Sequence, residues 1–312
     1  MRLLVTGADG FVGRHLIRRL AREGHRIGAG CRPGGPAADW GAGDVTAIPL
    51  ELTDDASVRR AVEFGADAVV HLAAVASNPE AFADPGHAWT VNAAGTARLA
   101  EALGRRRQSG AGEARLLVVS SGEVYGNGPR APRRETDPIA PATPYAASKA
   151  GAELAALEAW RRMSLPVVIA RPFTHTGPGQ ERRFVLPAFV ARLREAAAAG
   201  ARRVPTGNLE PVRDLLDVRD VVEAYLLLLR SGEPGEIYNV ARGEGSSVGE
   251  LFAMLADLLG VRVEPEPDPS LVRGTDISHL VGDATKLRRA TGWAPTRTLQ
   301  QTLRGLVDAE AD

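Results

Sequence analysis

The 312-residue chain contains a single cysteine, Cys31, and only two lysines, Lys149 and Lys286, among its 38 basic residues, so the other 36 are arginines. One cysteine excludes an internal disulfide and is typical of a reducing compartment. Aromatic residues make up only 5% of the chain, and no apolar run is long enough to span a membrane. A short β-type run starts at Arg2, so no signal peptide is predicted. We therefore expect a cytoplasmic protein without a membrane-spanning segment.

The chain has no excess charge of either sign, because 38 acidic residues balance the 38 basic ones and the isoelectric point is near 7.0. A neutral chain lacks the electrostatic footprint that nucleic acids or anionic membranes require, so neither is expected as a partner. A length of 312 residues and a mass of 33.0 kDa are enough for one large domain and a smaller one.

One of the two lysines stands four residues after a tyrosine, in Tyr145-Ala-Ala-Ser-Lys149. On a helix these two side chains lie on the same face, one turn apart. A nearby ammonium favours the phenolate, so Lys149 is expected to lower the pKa of the phenol. The spacing indicates proton-transfer chemistry, although an exposed helix can carry the same spacing by chance.

The N-terminus combines a short apolar strand, Met1–Thr6, with the glycines Gly7, Gly10 and Gly13 and then an amphipathic helix. Strand, tight turn and helix place free backbone N–H groups and the positive helix end at one point, where a dinucleotide pyrophosphate binds. The spacing is Gly-x-x-Gly-x-x-Gly and not the usual Gly-x-Gly-x-x-Gly. The context of strand, turn and helix makes this a predicted dinucleotide site.

Further strands are predicted at Arg26–Cys31, Val45–Pro49, Ala68–His71, Leu116–Ser120 and Val167–Arg171, with helical patterns between them. This alternation predicts an α/β fold with a Rossmann-type doubly wound parallel sheet, covered by helices on both faces. Ligands of such sheets bind at the carboxyl ends of the strands, where the glycine turn and several of the motifs below also fall.

The glycine turn, Tyr145-x-x-x-Lys149 and a Ser-Ser-Gly-Glu-Val-Tyr-Gly run at 120–126 together resemble the extended short-chain dehydrogenases/reductases, the NAD-dependent epimerase/dehydratase family, which act on nucleotide sugars. The resemblance runs nearly end to end. It includes His71-Leu-Ala-Ala, Val91-Asn-x-x-Gly-Thr96, Arg171-Pro-Phe-Thr-His-Thr-Gly-Pro-Gly-Gln180, Arg213-Asp-Leu-Leu-Asp-Val218, Ile237-Tyr-Asn-Val240 and Thr291-Gly-Trp293. Within the family the chain most resembles the reductases of GDP-4-keto-6-deoxy-D-mannose.

The resemblance implies two domains that are interleaved in sequence. Residues 1–172 and about 211–241 are expected to form the NADP(H)-binding domain. Residues about 173–210 and 242–312 are expected to form a smaller α/β domain that binds the nucleotide sugar. In this family the helices that correspond to Ala88–Leu103 and Tyr145–Met163 form a dimer interface, so a homodimer is expected, although both faces could instead pack internally.

The end of the second strand determines the choice between NAD and NADP. Here Cys31 occupies the usual acidic position, no carboxylate follows before Asp39, and Arg32 is available for a 2′-phosphate. NADP(H) is therefore expected as the preferred cofactor and NAD(H) as possible, unless Arg32 is simply one surface arginine among many. By resemblance the cofactor contacts are Gly7, Gly10, Phe11, Val12, Gly13, Arg32, Glu51, Leu52, Leu72, Ala73, Ala74, Tyr145, Lys149, Arg171 and Pro172.

The resemblance also assigns the catalytic side chains. Tyr145 is the general acid for the C4 oxygen of the sugar, Lys149 lowers its pKa, and Ser121 hydrogen-bonds the same oxygen, with Ser120 as the alternative. Glu123 stands where related 4,6-dehydratases carry the base that removes the C5 proton. It could equally be a hydrogen-bonding partner of the sugar.

Substrate contacts are expected from Ser121, Glu123, Thr174, Val185, Arg213 and Arg273, the two arginines facing the diphosphate of a GDP- or dTDP-linked sugar. Thr174 replaces an asparagine of the most similar reductases, which leaves the substrate open, and no metal is expected. The predicted activity is NADPH-dependent reduction of the C4 ketone of a 4-keto-6-deoxy nucleotide sugar. The alternatives are a nucleotide-sugar 4-epimerase or 4,6-dehydratase that retains NAD(P), and a protein that binds NADP without catalysis.

Overall fold

The computed structural model describes residues 1–35, 40–41, 43–271 and 277–309. In chain order its strands are β1 (Arg2–Thr6), β2 (Arg26–Cys31), β3 (Val45–Pro49), β4 (Ala68–His71), β5 (Arg115–Val119), β6 (Val167–Pro172), β7 (Thr174–Thr176), β8 (Arg203–Thr206), β9 (Val212–Asp217), β10 (Ile237–Val240), β11 (Gly245–Ser247), β12 (Glu264–Pro267) and β13 (His279–Leu280).

The helices are α1 (Phe11–Ala21), α2 (Asp55–Val62), α3 (Asn78–Ala83), α4 (Pro85–Trp89), α5 (Gly95–Gln108), α6 (Pro144–Met163), α7 (Val185–Ala199), α8 (Val218–Ser231), α9 (Val248–Leu259), α10 (Thr285–Thr291) and α11 (Leu299–Ala309). A π-helical turn, Thr90–Ala94, joins α4 to α5, and short 3₁₀ turns cover Gly122–Tyr125 and Pro269–Leu271. No helix in the described ranges has the length and hydropathy needed to span a bilayer.

The large sheet has seven strands in the order β10-β6-β5-β4-β1-β2-β3. Every neighbouring pair in it is parallel. The order reverses between β1 and β4, where Thr6 lies beside His71, and this switch point opens a crevice at the carboxyl ends of the strands. Apolar side chains of α1 and α8 cover one face of the sheet, and those of α2, α5 and α6 cover the other. The predicted doubly wound fold is confirmed.

The starts and stops of the helices follow local sequence signals. Thr143 caps α6 by accepting a hydrogen bond from the Ala146 N–H at 3.1 Å, and Pro144 occupies the first turn, where no amide hydrogen is needed. A capping box between Ser247 and Glu250 begins α9. Helix α6 therefore starts at a position fixed by its own sequence.

A second sheet has the order β11-β9-β13, with β7 also paired to β9, and β8 pairs with β12 in a two-stranded ribbon. We expected residues from about 211 to 241 to rejoin the large domain, but within the described ranges β9 pairs only with strands of this second sheet. We therefore propose that the return begins at α8, after Asp217. Similarly, Leu287 and Trp293 pack into the core of the large domain, so we propose that this part of the C-terminal stretch belongs there.

Candidate active site

The glycine turn between β1 and α1 is too tight for side chains. A Cβ atom on Gly7 would lie 2.8 Å from the Ala73 nitrogen, and one on Gly13 would lie 2.2 Å from the Gly7 carbonyl oxygen. Gly7 also has a φ of +67°, in the left-handed region that favours glycine. At the start of α1, the Gly10 cap provides no side chain and the first turn carries no acidic residue. The free N–H groups there fit a pyrophosphate.

A buried histidine ties the two strands at the switch point together. The Nδ1 atom of His71 is 2.8 Å from the Thr6 hydroxyl, and its Nε2 atom is 3.0 Å from the Thr96 hydroxyl. Burial, with a smaller contribution from Lys149, lowers the pKa of His71 to about 3, so the ring is neutral at working pH. The Thr6 hydroxyl also accepts from the Ala73 N–H at 3.1 Å, which fixes the predicted cofactor edge at Leu72, Ala73 and Ala74.

The predicted catalytic residues come together at the end of β5 and the start of α6. The Ser121 hydroxyl lies close enough to the phenol of Tyr145 to lower its pKa, and it accepts from the Glu123 N–H at 3.1 Å. Lys149 is buried, and its Nζ donates to the Val119 carbonyl oxygen at 2.5 Å. Serine, tyrosine and lysine therefore line one edge of the sheet.

The pKa of Tyr145 differs from the sequence expectation. Burial and the charge of Glu123 raise the pKa of the phenol, and the hydrogen bond from Ser121 only partly opposes them. The sequence analysis expected Lys149 to lower the pKa of Tyr145, and no such lowering is found. A raised pKa keeps the phenol protonated at neutral pH, as a proton donor requires. Burial lowers the pKa of Lys149 to about 8, against an opposing effect of Glu153.

Behind these residues lies a buried ion pair that the sequence did not predict. Arg171 donates to Glu153 through Nε at 2.8 Å and Nη2 at 2.6 Å, and through Nη1 to the Tyr125 hydroxyl at 2.9 Å. Ser120 donates its hydroxyl to the same carboxylate. This hydrogen bond occupies the Ser120 hydroxyl inside the protein, so we keep Ser121 as the proposed contact of the sugar oxygen. The guanidinium of Arg171 thus makes three hydrogen bonds inside the protein, and the prediction of Arg171 as a cofactor contact stays a prediction.

Glu123 has a partner that the sequence analysis missed. Its Oε2 accepts from the Asn78 Nδ2 at 2.9 Å, while the Oδ1 atom of Asn78 is buried without a described hydrogen bond. Asn78 is the first residue of α3. No local sequence signal pairs it with a loop 45 residues away. The amide holds the carboxylate beside Tyr145.

At the end of β2, Arg32 is exposed. It lies close enough to Glu51 to lower the pKa of that carboxyl, whose larger cause is hydrogen bonding to Thr53. Glu51 accepts from the Thr53 N–H at 2.9 Å and from its hydroxyl at 2.7 Å. Leu52 is buried against Gly95, where a Cβ would lie 2.9 Å from the Leu52 Cβ. Arg32 and Glu51 thus form one charged rim of the predicted nucleotide site.

The predicted substrate residues lie on the second sheet and the helix after it. Thr174 is exposed on β7, and Val185, the first residue of α7, is 48% exposed. Arg213 on β9 donates through Nη1 to the carbonyl oxygens of Ile277 at 2.6 Å and Val212 at 3.0 Å. Arg273 lies outside the described residues.

One aromatic contact connects the start of α1 with the second sheet. The ring of Phe11 stacks on His175 with 6.3 Å between centroids, and the Nδ1 of His175 is 2.9 Å from the Phe173 carbonyl oxygen. These contacts give His175 a packing role.

Comparison with known proteins gives a consistent result. The profile of the NAD dependent epimerase/dehydratase family matches residues 3–241. The chain is 37% identical to GDP-6-deoxy-D-mannose reductase of Pseudomonas aeruginosa, covering 98% of this chain and 96% of that protein. It is 33% identical to UDP-glucose 4-epimerase of Mycolicibacterium smegmatis, covering 99% and 98% of the two chains.

Solved structures agree in fold over the whole length. RMD from Pseudomonas aeruginosa, complexed with NADPH, superposes with a TM-score of 0.84 at 34% identity and covers 99% of this chain and 98% of its own. UDP-glucose 4-epimerase of Thermus thermophilus, complexed with NAD, gives a TM-score of 0.88 at 32% identity, with 100% and 99% covered. The profile match and the end-to-end identity show that the chain belongs to the NAD dependent epimerase/dehydratase family, the extended short-chain dehydrogenases/reductases.

Proposed function

We propose that this enzyme is an NADPH-dependent reductase that converts the C4 ketone of a 4-keto-6-deoxy nucleotide sugar, of the GDP-4-keto-6-deoxy-mannose type, to an alcohol. The observation that carries the proposal is that Ser121 lies beside Tyr145 at the sheet edge where the buried Lys149 donates to the Val119 carbonyl oxygen. The 37% identity to GDP-6-deoxy-D-mannose reductase supports the choice of reaction. NADP(H) is the preferred cofactor and NAD(H) a possible one.

The nicotinamide, when bound, supplies the hydride, and the protein supplies the proton and the charge stabilisation. Tyr145 gives its phenolic proton to the C4 oxygen as negative charge develops there, and its raised pKa keeps that proton in place beforehand. Ser121 donates to the same oxygen. Each such donor lowers the barrier by about 3 kcal/mol. Lys149, charged below pH about 8, is the buried cation of this site, and we assign it to the ribose beside the nicotinamide.

Substrate contacts fall to the second sheet and its flanking helix. Arg213, half-buried on β9, faces the diphosphate, and Thr174 and Val185 border the sugar side of the cleft. Arg273 is proposed as the second diphosphate contact from its sequence position alone. The substrate is a GDP- or dTDP-linked sugar. A homodimer through α5 and α6 is part of the proposal, because Leu154 on α6 is 64% exposed.

A second candidate function follows from Glu123. The Glu123 carboxylate accepts a hydrogen bond from Asn78 at 2.9 Å, and in this second function it would act as the base that removes a carbon-bound proton. An epimerase or 4,6-dehydratase with retained NAD(P) needs no net cofactor consumption. The chain also resembles a UDP-glucose 4-epimerase and a dTDP-glucose 4,6-dehydratase, at 33% and 30% identity.

The test supplies GDP-4-keto-6-deoxy-mannose or its dTDP counterpart with NADPH or NADH, and follows absorbance near 340 nm. We expect rapid loss of absorbance with one keto sugar and NADPH. Conversion of GDP-mannose or dTDP-glucose without added cofactor, and no oxidation of NADPH with either keto sugar, would overturn the reductase and favour the second function.

A further inference from the structure

A buried arginine in the loop between β5 and α6 carries N–H donors that the protein does not use. Arg133 is 5% exposed, and its Nε and Nη2 atoms are buried without a hydrogen-bond partner among the described residues. Burying a charged group without a partner is unfavourable, and most buried polar groups are hydrogen-bonded. The unused donors of this side chain therefore indicate a ligand that accepts hydrogen bonds and carries negative charge.

The backbone and a glycine fix the position of this guanidinium. The Arg133 N–H donates to the Val281 carbonyl oxygen at 2.8 Å, and the Arg133 carbonyl oxygen accepts from the Asp283 N–H at 2.7 Å, so the loop is tied to the end of β13. A Cβ on Gly128 would lie 2.4 Å from Nη2 and 2.5 Å from Nη1 of Arg133. Gly128 is itself exposed. The guanidinium therefore lies directly beneath the surface, in a space that only glycine leaves open.

The carboxylates that line the cleft beside Arg133 have other partners. Asp283 pairs with the exposed Arg134 at 3.4 Å and accepts from the Thr285 N–H at 2.8 Å. Asp137 accepts from the Arg134 N–H at 2.9 Å. In the part of the chain that the structure describes, neither carboxylate pairs with Arg133. The cleft has a volume of about 600 Å³, which is within the range of small-molecule sites.

A histidine on β13 adds a further unused polar atom and shows that the surroundings are positive. The Nδ1 atom of His279 is buried without a partner among the described residues. Burial lowers the pKa of this imidazole, and the charges of Arg130, Arg133 and Arg213 lower it further. The three guanidinium groups therefore lie near the ring. Several cations with free N–H donors suit a phosphate group, whose oxygens accept from more than one donor at once.

We propose that Arg133, together with His279 and Arg130, binds a phosphate group beside β13. Arg133 supplies the two unused donors, His279 supplies its Nδ1, and Arg130 adds positive charge from the exposed part of the loop. The phosphate group belongs either to a free phosphate compound or to the diphosphate of a nucleotide, since both present the same oxygens. The proposal does not depend on which reaction the enzyme catalyses, because none of these side chains is assigned to catalysis.

The test is equilibrium dialysis of the purified protein against radiolabelled inorganic phosphate at constant ionic strength. We expect the wild type to bind phosphate with a dissociation constant on the order of 1 mM, and Arg133→Met to bind it about tenfold more weakly or worse. Arg203→Met is the matched control, because it removes an exposed arginine that pairs with Glu266 on the two-stranded ribbon. It should bind phosphate as the wild type does. Urea unfolding without phosphate should show Arg133→Met to be at least as stable as the wild type, since a buried charge without a partner is removed.

Competition with GDP identifies the source of the phosphate group. Displacement of phosphate by GDP, together with weaker GDP binding in Arg133→Met, assigns the site to the diphosphate of a nucleotide. Phosphate that stays bound at saturating GDP assigns it to a separate phosphate compound. The proposal is overturned if the wild type and Arg133→Met do not differ in their binding of phosphate and of GDP. If Arg133→Met does not fold, His279→Leu takes its place, and phosphate and GDP binding equal to that of the wild type would overturn the proposal in the same way.

Discussion

The carboxylate of Glu123 raises the pKa of the Tyr145 phenol, while Asn78 holds that carboxylate through a hydrogen bond of 2.9 Å. Glu123 has a different role in each of the two reactions proposed for this enzyme. In a reduction Glu123 tunes the proton donor and contacts the sugar. In a dehydration or an epimerisation with a carbon base it carries a proton itself. Removing its charge therefore separates the two.

Glu123→Gln should leave the reductase active to within about tenfold, because the proton donor remains and its pKa falls once the negative charge is gone. A steady-state assay with keto sugar and NADPH measures this. Exchange of the sugar C5 hydrogen with deuterated water, measured by mass spectrometry, should be absent in the wild type and in Glu123→Gln. Loss of activity by more than about a thousandfold, with C5 exchange in the wild type only, would make Glu123 the base.

Tyr145→Phe and Ser121→Ala should lower kcat, by about 10²- to 10⁴-fold and 10²- to 10³-fold respectively, because each removes a donor to the developing alkoxide. The dissociation constant of NADPH should stay within about threefold. Ser120→Ala is the control, because the Ser120 hydroxyl donates to Glu153. This substitution should lower the stability of the fold and change kcat little. An equal loss of kcat in Ser120→Ala would show that the serines are assigned the wrong way round.

The pH dependence of the free enzyme should report Lys149, whose pKa is lowered to about 8 by burial. The residue is charged below that pH, so kcat/KM should fall as pH rises through about 8. Lys149→Arg should lose most of the activity. Its kcat/KM should also no longer fall as the pH rises through about 8, because an arginine does not deprotonate in this range. A wild-type profile that is flat to about pH 10 would contradict the assignment.

Acid should destabilise the fold through His71. Its pKa is about 3 in the folded protein against 6.5 for the free side chain, so between these values the unfolded chain binds a proton that the folded one does not. Stability is fully present above 6.5 and falls as pH drops toward 3, by about 1.4 kcal/mol per pH unit. Urea unfolding of wild type and His71→Gln measures this. The variant should show a shallower slope, and identical slopes would contradict the neutral, buried ring.

Glu153→Gln should destabilise the protein by about 3–5 kcal/mol, because it leaves the Arg171 guanidinium charged and buried without its partner. Both side chains of the pair are at most 4% exposed. The control is Glu158→Gln on the same helix, whose exposed ion pair with Arg162 should leave the urea midpoint unchanged. Equal urea midpoints for the two variants would mean that the buried ion pair of Arg171 and Glu153 does not stabilise the fold.

Local sequence patterns were sufficient to predict these strands of the large sheet. The predicted strands at Arg26–Cys31, Val45–Pro49 and Ala68–His71 match β2, β3 and β4 at both ends. Their apolar runs are short and bounded by polar or turn residues, so little else could form there. The predicted helix at Ala88–Leu103 is correct in kind, but its first part is α4 and a π-helical turn, which periodicity alone does not distinguish.

The roles of polar side chains were harder to predict, because their partners are distant in sequence. Ser120 and Ser121 are adjacent and alike, yet the Ser120 hydroxyl donates to Glu153, 33 residues away, whereas Ser121 lies beside Tyr145. Likewise, β9 carries Arg213 in a motif typical of the family, but only the pairing partners of the strand assign it to the second sheet. Such choices depend on tertiary contacts that a single sequence does not encode locally.

The central claim is net reduction, and the most direct measurement of it is stoichiometry. Purified enzyme is given limiting NADPH and an excess of GDP-4-keto-6-deoxy-mannose, and both NADP⁺ and the product alcohol are quantified at completion. We predict one sugar reduced for each NADPH oxidised, and no conversion when NADPH is left out. Conversion of a nucleotide sugar without any net oxidation of NADPH would contradict the account and assign the enzyme to epimerisation or dehydration.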